Sequence, residues 1–181
     1  MKYFFLVLAV AFSTTIFSQT STDHQVSLSG IGAIRIDMSK AAVEKLINKK
    51  ITLTAPKKED YVIDTVKITY SNIELEVAFY NKYISEDKYE IAVYSVSGSS
   101  SLLKTKSSVG VGDDKIKIIT TYDTYHLDVS PLYNTDEKGN YKPDKTRSTI
   151  TLFGDTQPNV IIFNLESNKL ISFTVSMYEG C

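Results

Sequence analysis

The sequence predicts an α+β protein in which a strand-helix-antiparallel meander unit occurs twice in tandem, with the helices packed on one face of the sheet. Three observations predict it. The chain resembles itself at an offset of 75 residues, each copy passes from helical spacing to period-two alternation, and polar turn residues punctuate the alternation. Ile34-Arg-Ile-Asp-Met-Ser-Lys-Ala-Ala-Val43 lines up with Val109-Gly-Val-Gly-Asp-Asp-Lys-Ile-Lys-Ile118. Ile34 falls on Val109, Ile36 on Val111, Lys40 on Lys115 and Val43 on Ile118. At the same offset Ala55-Pro56 falls on Ser130-Pro131. Lys67-Ile-Thr-Tyr70 matches Thr149-Ile-Thr-Leu152 after seven further residues, which the polar stretch from Asn134 to Asp144 accommodates.

The expected organisation is a leader over 1–18, a first α+β repeat over 19–97, a Ser/Gly-rich joint over 98–108 and a second repeat over 109–181. The leader follows from the positive Met1-Lys2 start, the apolar run from Tyr3 to Phe12 and the small Ser18 before Gln19, the three-part pattern of a secretory signal peptide. The run is too short for a comfortable membrane span. Cleavage after Ser18 gives an exported chain, periplasmic or secreted. No Cys stands near the cut to carry a lipid anchor.

In the first repeat a short alternating strand around Ile34 precedes Ser39, a residue type that caps helices, and Val43, Leu46 and Ile47 follow at helical spacing. The Lys-rich Asn48-Lys-Lys50 suits the negative end of that helix. Val62 to Tyr70 alternates, Ser71-Asn72 turns the chain, and Ile73, Leu75, Val77 and Phe79 alternate with Glu74, Glu76, Ala78 and Tyr80. Tyr89 to Ser95 forms the next strand. In the second repeat Asp113 or Asp114 can cap. Lys115 to Tyr122 is β-branched and a weak helix former, so its helix assignment rests on its counterpart alone. Strands follow over 148–153, 160–165 and 170–178, with a turn at Ser167-Asn168.

Gly110-Val-Gly112 therefore leads into a helix and is not a phosphate loop. A dinucleotide fingerprint needs a third Gly where Lys115 stands, and Asp113 and Asp114 put negative charge where a phosphate would lie.

The pattern apolar-x-apolar-Gly-x-Ser/Asp-Lys-x-x-apolar, a helix, then antiparallel strands, resembles the β-lactamase-inhibitor-like proteins and the small outer-membrane lipoproteins of the barrel-assembly machinery. Two tandem copies are more similar to the inhibitor arrangement, and the Phe17-Ser18-Gln19 leader end is similar to those of the Bacteroidetes. In the first copy Asp37 stands where the pattern has Gly. The resemblance implies a fold and a habit of binding proteins.

Composition narrows the function classes. Setting Lys2 aside, 19 basic residues face 21 acidic ones, which leaves no field or basic run for nucleic acid. The single cysteine, Cys181, cannot form an internal bridge. It either links two chains as a homodimer or lies under the last strand as a small hydrophobe. His24 falls in an amino-terminal segment expected to fray. His126 could serve a hydrolase only if Asp123 or Asp128 and a Ser converged on it, and no nucleophile elbow is present. The loop from Asn134 superficially resembles a calcium loop, but Lys138 and Lys145 occupy ligand positions. Glu59-Asp60 and Glu86-Asp87 read as solvated edges. No catalytic residue, metal or cofactor is assigned.

The remaining feature is the open face of the sheet. Glu74, Glu76, Tyr80, Tyr94 and Tyr178 are expected to make an acidic-aromatic surface that binds another protein, in the envelope or outside the cell. Replacing the three Tyr by Ala should then leave stability nearly intact. The expected function is a non-enzymatic protein-binding module; a hydrolase using His126 and a structural cell-envelope component are the alternatives.

Overall fold

The computed structural model describes residues 22–54, 62–86, 88–155 and 158–178, without the side chains of Val62 and Ile63. The leader, Ala55-Pro56, Glu59-Asp60, Asp87 and Cys181 lie outside the described residues. A 3-10 turn (Thr22–His24) leads into β1 (Gln25–Ser27), β2 (Gly30–Ile31), β3 (Ile34–Arg35) and α1 (Lys40–Ile47). A meander of β4 (Val62–Tyr70), β5 (Ile73–Ser85) and β6 (Lys88–Gly98) follows. Then come β7 (Lys104–Thr105), α2 (Lys115–Thr121), β8 (Leu127–Thr135), β9 (Tyr141–Phe153), β10 (Asn159–Glu166) and β11 (Lys169–Met177). More than half of the described residues are in strands, so the chain is α+β with β strongly dominant.

The strands form a small sheet, β3-β2-β1-β7, and a large antiparallel one, β4-β5-β6-β11-β10-β9-β8. The large sheet is joined at its centre by β6 and β11, where Ser95 pairs with Ser176 and Val96 with Val175. Val26, Ile31 and Ile34 of the small sheet, Val43 of α1, Ile118 of α2, and Leu75, Val77, Phe79, Phe163 and Phe173 of the large sheet share one hydrophobic core. The sheet could not cover these side chains alone; burying them against a second layer supplies the main driving force for folding.

Local chemistry explains both helices. Ser39 adopts an extended conformation (φ −63°, ψ 147°) and its hydroxyl accepts the Ala42 N–H at 3.2 Å, satisfying an amide at the start of α1. The helix stops at Asn48, which takes the left-handed conformation (φ 51°). At α2, Asp114 occupies the cap position without a side-chain cap bond. The β-branched run is helical because its lead-in is fastened to the β10–β11 hairpin: Gly112 N–H donates to Leu170 O at 2.8 Å and Lys115 N–H to Asn168 O at 2.9 Å. Fully buried Ile118 then points into the core. The segment before α1 is held in the same way. Asp37 N–H donates to Val93 O at 2.8 Å and Val93 N–H to Met38 O at 2.9 Å, as Leu170 N–H donates to Asp113 O at 2.9 Å before α2.

Two expectations are corrected, for the amino-terminal segment and for the stretch from Asn134. The amino-terminal segment is tied down rather than frayed, because His24 Nε2 bonds the Ser71 carbonyl at 2.9 Å and β1 pairs with both β2 and β7. Residues 98–108 contribute fully buried Leu103 to the core and carry β7, the parallel partner of β1. The stretch from Asn134 is the tip of the long β8–β9 hairpin instead of an irregular loop. Asp136 accepts the backbone N–H of Lys138 and of Asn140, both at 2.9 Å, and closes the turn.

Candidate functional site

Along β5, buried Ile73, Leu75, Val77 and Phe79 face the core while Glu74 and Glu76 face solvent, as period-two geometry requires. Around them on the open face lie exposed Thr65, Lys67 and Thr69 of β4, and half-buried Ser97 of β6, Ser172 and Thr174 of β11, and Asn164 of β10. Asn164 donates to Ser172 Oγ and Thr174 Oγ1, each at 3.2 Å, which ties β10 to β11 across this surface.

The five expected site residues form two patches. Glu74 and Glu76 flank Lys67, whose ammonium lies 3.1 Å and 3.6 Å from their carboxylates. The patch is less acidic than expected, because Lys67 faces Glu76 across the β4–β5 ladder. Lys67 in turn is pushed above the ordinary lysine range by Glu74 first and Glu76 second. A shallow cleft of about 270 Å³ opens between this trio and Ser97, Ser99 and Ser172.

Four residues further along β5, roughly 13 Å away at strand rise, lies the aromatic patch. Tyr80 is not a surface residue; it is 5% exposed. The pairing of β5 with β6 shifts between Ala78 and Phe79, and the segment from Asp37 to Ser39 runs along β6 and brings Asp37 onto Tyr80. The Tyr80 hydroxyl donates to Asp37 Oδ1 at 2.7 Å, and Lys82 Nζ bonds Asp37 Oδ2. Partial burial pushes the Asp37 carboxyl up, but the bonds from Lys82 and Tyr80 outweigh it and hold the group below the ordinary aspartate range. Neither Asp37 nor Lys82 was singled out from sequence as a partner of Tyr80. The available signal was Asp37 itself, standing 75 residues before Gly112 in the sequence alignment of the chain with itself.

Tyr94 is half-buried, its ring edge-on to Tyr80 at 6.1 Å. Tyr178 is 49% exposed and meets Phe153 edge-on at 5.1 Å, and the His126 ring stacks on the other side of this cluster, 4.3 Å from Phe153. Because Ser95 pairs with Ser176, Tyr94 and Tyr178 stand at the same end of the β6–β11 seam. His126 is thus one member of an aromatic row. Asp128 accepts a hydrogen bond from the Ser130 hydroxyl at 2.8 Å, so this carboxylate and the His126 ring each have another partner.

Asp113 and Asp144 are also engaged. Asp113 accepts the Gly110 N–H at 2.7 Å and pairs with Lys117 at 2.7 Å, so the Gly110-Val-Gly112 lead-in spends its amides on its own turn and on β11. Asp144 accepts Arg147 Nε at 2.7 Å together with the N–H and hydroxyl of Thr146, which hold it far below the ordinary carboxylate range, Arg147 foremost.

No family model matches the chain, and neither a curated protein nor a solved structure is significantly similar to it. No helix among the described residues is long and apolar enough to cross a membrane.

Proposed function

We propose that the protein is a secreted or periplasmic non-enzymatic protein-binding module that captures its partner on the open face of the large sheet. The carrying observation is that face itself: a wide antiparallel surface with its core layer on one side only, a floor of small hydroxyl residues, an aromatic row, and a separate Lys67-Glu74-Glu76 trio. Flat surfaces of this kind suit protein partners, because Tyr supplies large contact area at low entropic cost and small neighbours let a partner approach closely. Tyr94 and Tyr178 are the contact residues, with Glu74 and Glu76 setting register, while Tyr80 supports Tyr94 from beneath. The leader read over 1–18 supports export.

The architecture that presents this face is, in this reading, a duplicated unit. Supporting it are the equivalent turns before α1 and α2, the cap positions Ser39 and Asp114 at the 75-residue offset, and the two meanders meeting at β6 and β11.

Photocrosslinking groups placed at Tyr94, Tyr178 and Ser97 should join the protein to one defined species in the native envelope fraction. A group at Leu46, on α1, should not. Equal crosslinking from Leu46, or none from the sheet positions, would remove the proposal.

A further inference from the structure

A second site lies away from the open face, where the β8–β9 hairpin passes the start of α2. A cleft of about 270 Å³ is lined there by Lys115, Lys145 and Arg147, with Thr146, Ser148 and Ser167 among its neutral walls. Its one acidic lining residue is Asp144, and that carboxylate is already taken up by Arg147 Nε and by Thr146. Arg147 also donates through Nη2 to Asn134 Oδ1 at 2.8 Å, so its guanidinium is fixed on two nitrogens while Nη1 has no partner among the described residues.

Lys115 and Lys145 form no ion pair among the described residues. For Lys115 this is costly: it is half-buried, at the first position of α2, where the helix end carries partial positive charge. The comparison with α1 is informative. Lys40 begins α1 and pairs with Glu44 one turn on, at 2.6 Å. One turn on from Lys115 stands Ile119, and the neighbouring Asp114 pairs instead with Lys169 at 2.9 Å. The protein carries a net charge of −1, yet this cleft gathers cations and leaves two of them uncompensated.

We infer that this cleft binds a tetrahedral oxyanion, a phosphate or sulfate group either free or as a monoester on a small molecule. Two flexible ammonium groups and a pre-oriented guanidinium match the several oxygens of such a group, and the hydroxyls of Thr146, Ser148 and Ser167 can donate to those the cations leave. The cleft is the size of one such group with a small substituent, and no basic track leads away from it along which a polyanion could continue.

The test is titration of the protein at low ionic strength with inorganic phosphate, inorganic sulfate and glucose 6-phosphate, followed by amide NMR shifts. The expected result is saturable binding of at least one probe, with shifts concentrated at 115–116, 145–148 and 167–168. Preference for glucose 6-phosphate would point to an ester as the natural ligand, and preference for a free ion to the ion itself. Replacing both lysines (Lys115→Ala with Lys145→Ala) should weaken binding by about tenfold or more, and Lys115→Arg with Lys145→Arg should keep it. Lys106→Ala, a charge lost from a different cleft, should leave it unchanged. No saturable binding, unaltered binding in the double alanine variant, or an equal loss in Lys106→Ala would each overturn the inference.

Discussion

Asp37 and Gly112, 75 residues apart, both hold positive φ, at 69° and 95°, and each donates its N–H to a strand carbonyl of the large sheet, Val93 and Leu170 respectively. Gly reaches this conformation without strain; Asp reaches it at modest cost. No atom lies within 4 Å of a Cβ built on Gly112, so Gly112→Ala isolates the backbone term and should destabilise the protein by ~1–2 kcal/mol. At Asp37 the side chain adds the bonds to Tyr80 and Lys82. The expected order of stability in denaturant titrations is wild type, then Asp37→Asn, then Asp37→Ala. Asn keeps both an acceptor and tolerance of the left-handed region, and Ala keeps neither. An Ala variant as stable as the Asn variant would refute this account of the turn.

Tyr80 and Tyr178 should respond to the same truncation by very different amounts. Tyr80→Ala removes a buried ring and leaves a cavity under the Asp37 turn, costing roughly 3 kcal/mol. Tyr80→Phe removes only the hydroxyl bonded to Asp37 and should cost about 1 kcal/mol. Tyr178→Ala gives up an edge contact with Phe153 at a half-exposed position and should cost about 1 kcal/mol or less. A partner-capture assay is therefore interpretable for Tyr94 and Tyr178 but confounded by unfolding for Tyr80. Thermal melts of the single variants check the ranking; a Tyr80→Ala protein melting with wild type would contradict it.

What could be read from sequence followed local chemistry, and what could not depended on distant partners. Ser39 with Val43, Leu46 and Ile47 announces α1, and the alternation in β5 separates Leu75 and Val77 from Glu74 and Glu76. Lys115 to Thr121 favours strand locally, and the anchoring of its lead-in to Leu170 and Asn168, some 50 residues on, decides otherwise. β8 was hidden because its alternation is short (Leu127 and Val129 only) and interrupted by Pro131, and most of its residues are exposed. β1, β2 and β7 are two or three residues long and exist only through mutual pairing. The burial of Tyr80 likewise needs Asp37, 43 residues earlier, to arrive above it.

Gly98 and Leu103 test how the stretch over 98–108 packs into the core. A Cβ on Gly98 would lie 2.7 Å from Leu75 Cδ2 and 2.9 Å from Leu103 Cδ1, so Gly98→Ala must displace a packed side chain and should cost ~1–3 kcal/mol. Leu103→Ala empties a fully buried site and should cost ~2–5 kcal/mol. Combined, the two changes should cost ~1 kcal/mol less than their sum, because the space freed at Leu103 receives the new methyl. Strict additivity in a double-mutant cycle would mean that the two positions do not share this space.

Glu44 links stability to pH. Its carboxylate, on the α1 surface but 8% exposed, accepts Lys40 Nζ at 2.6 Å, the Ile51 N–H at 2.8 Å and Lys50 Nζ at 3.2 Å, closing the loop that leaves the helix. Lys40 first, then the Ile51 amide, lower its pKa from the ordinary 4.5 to about 2. A folded-state pKa below the unfolded one means that the unfolded chain takes up protons first as acid is added. The stabilisation is therefore complete above about pH 4.5 and is lost as pH falls from there towards 2. Glu44→Gln cannot ionise, so it should melt below wild type at pH 7, and the gap should close across that window. Melting temperatures of both proteins through the window decide the matter: two curves that stay parallel down to pH 2 would show that the Glu44 charge does not hold this loop.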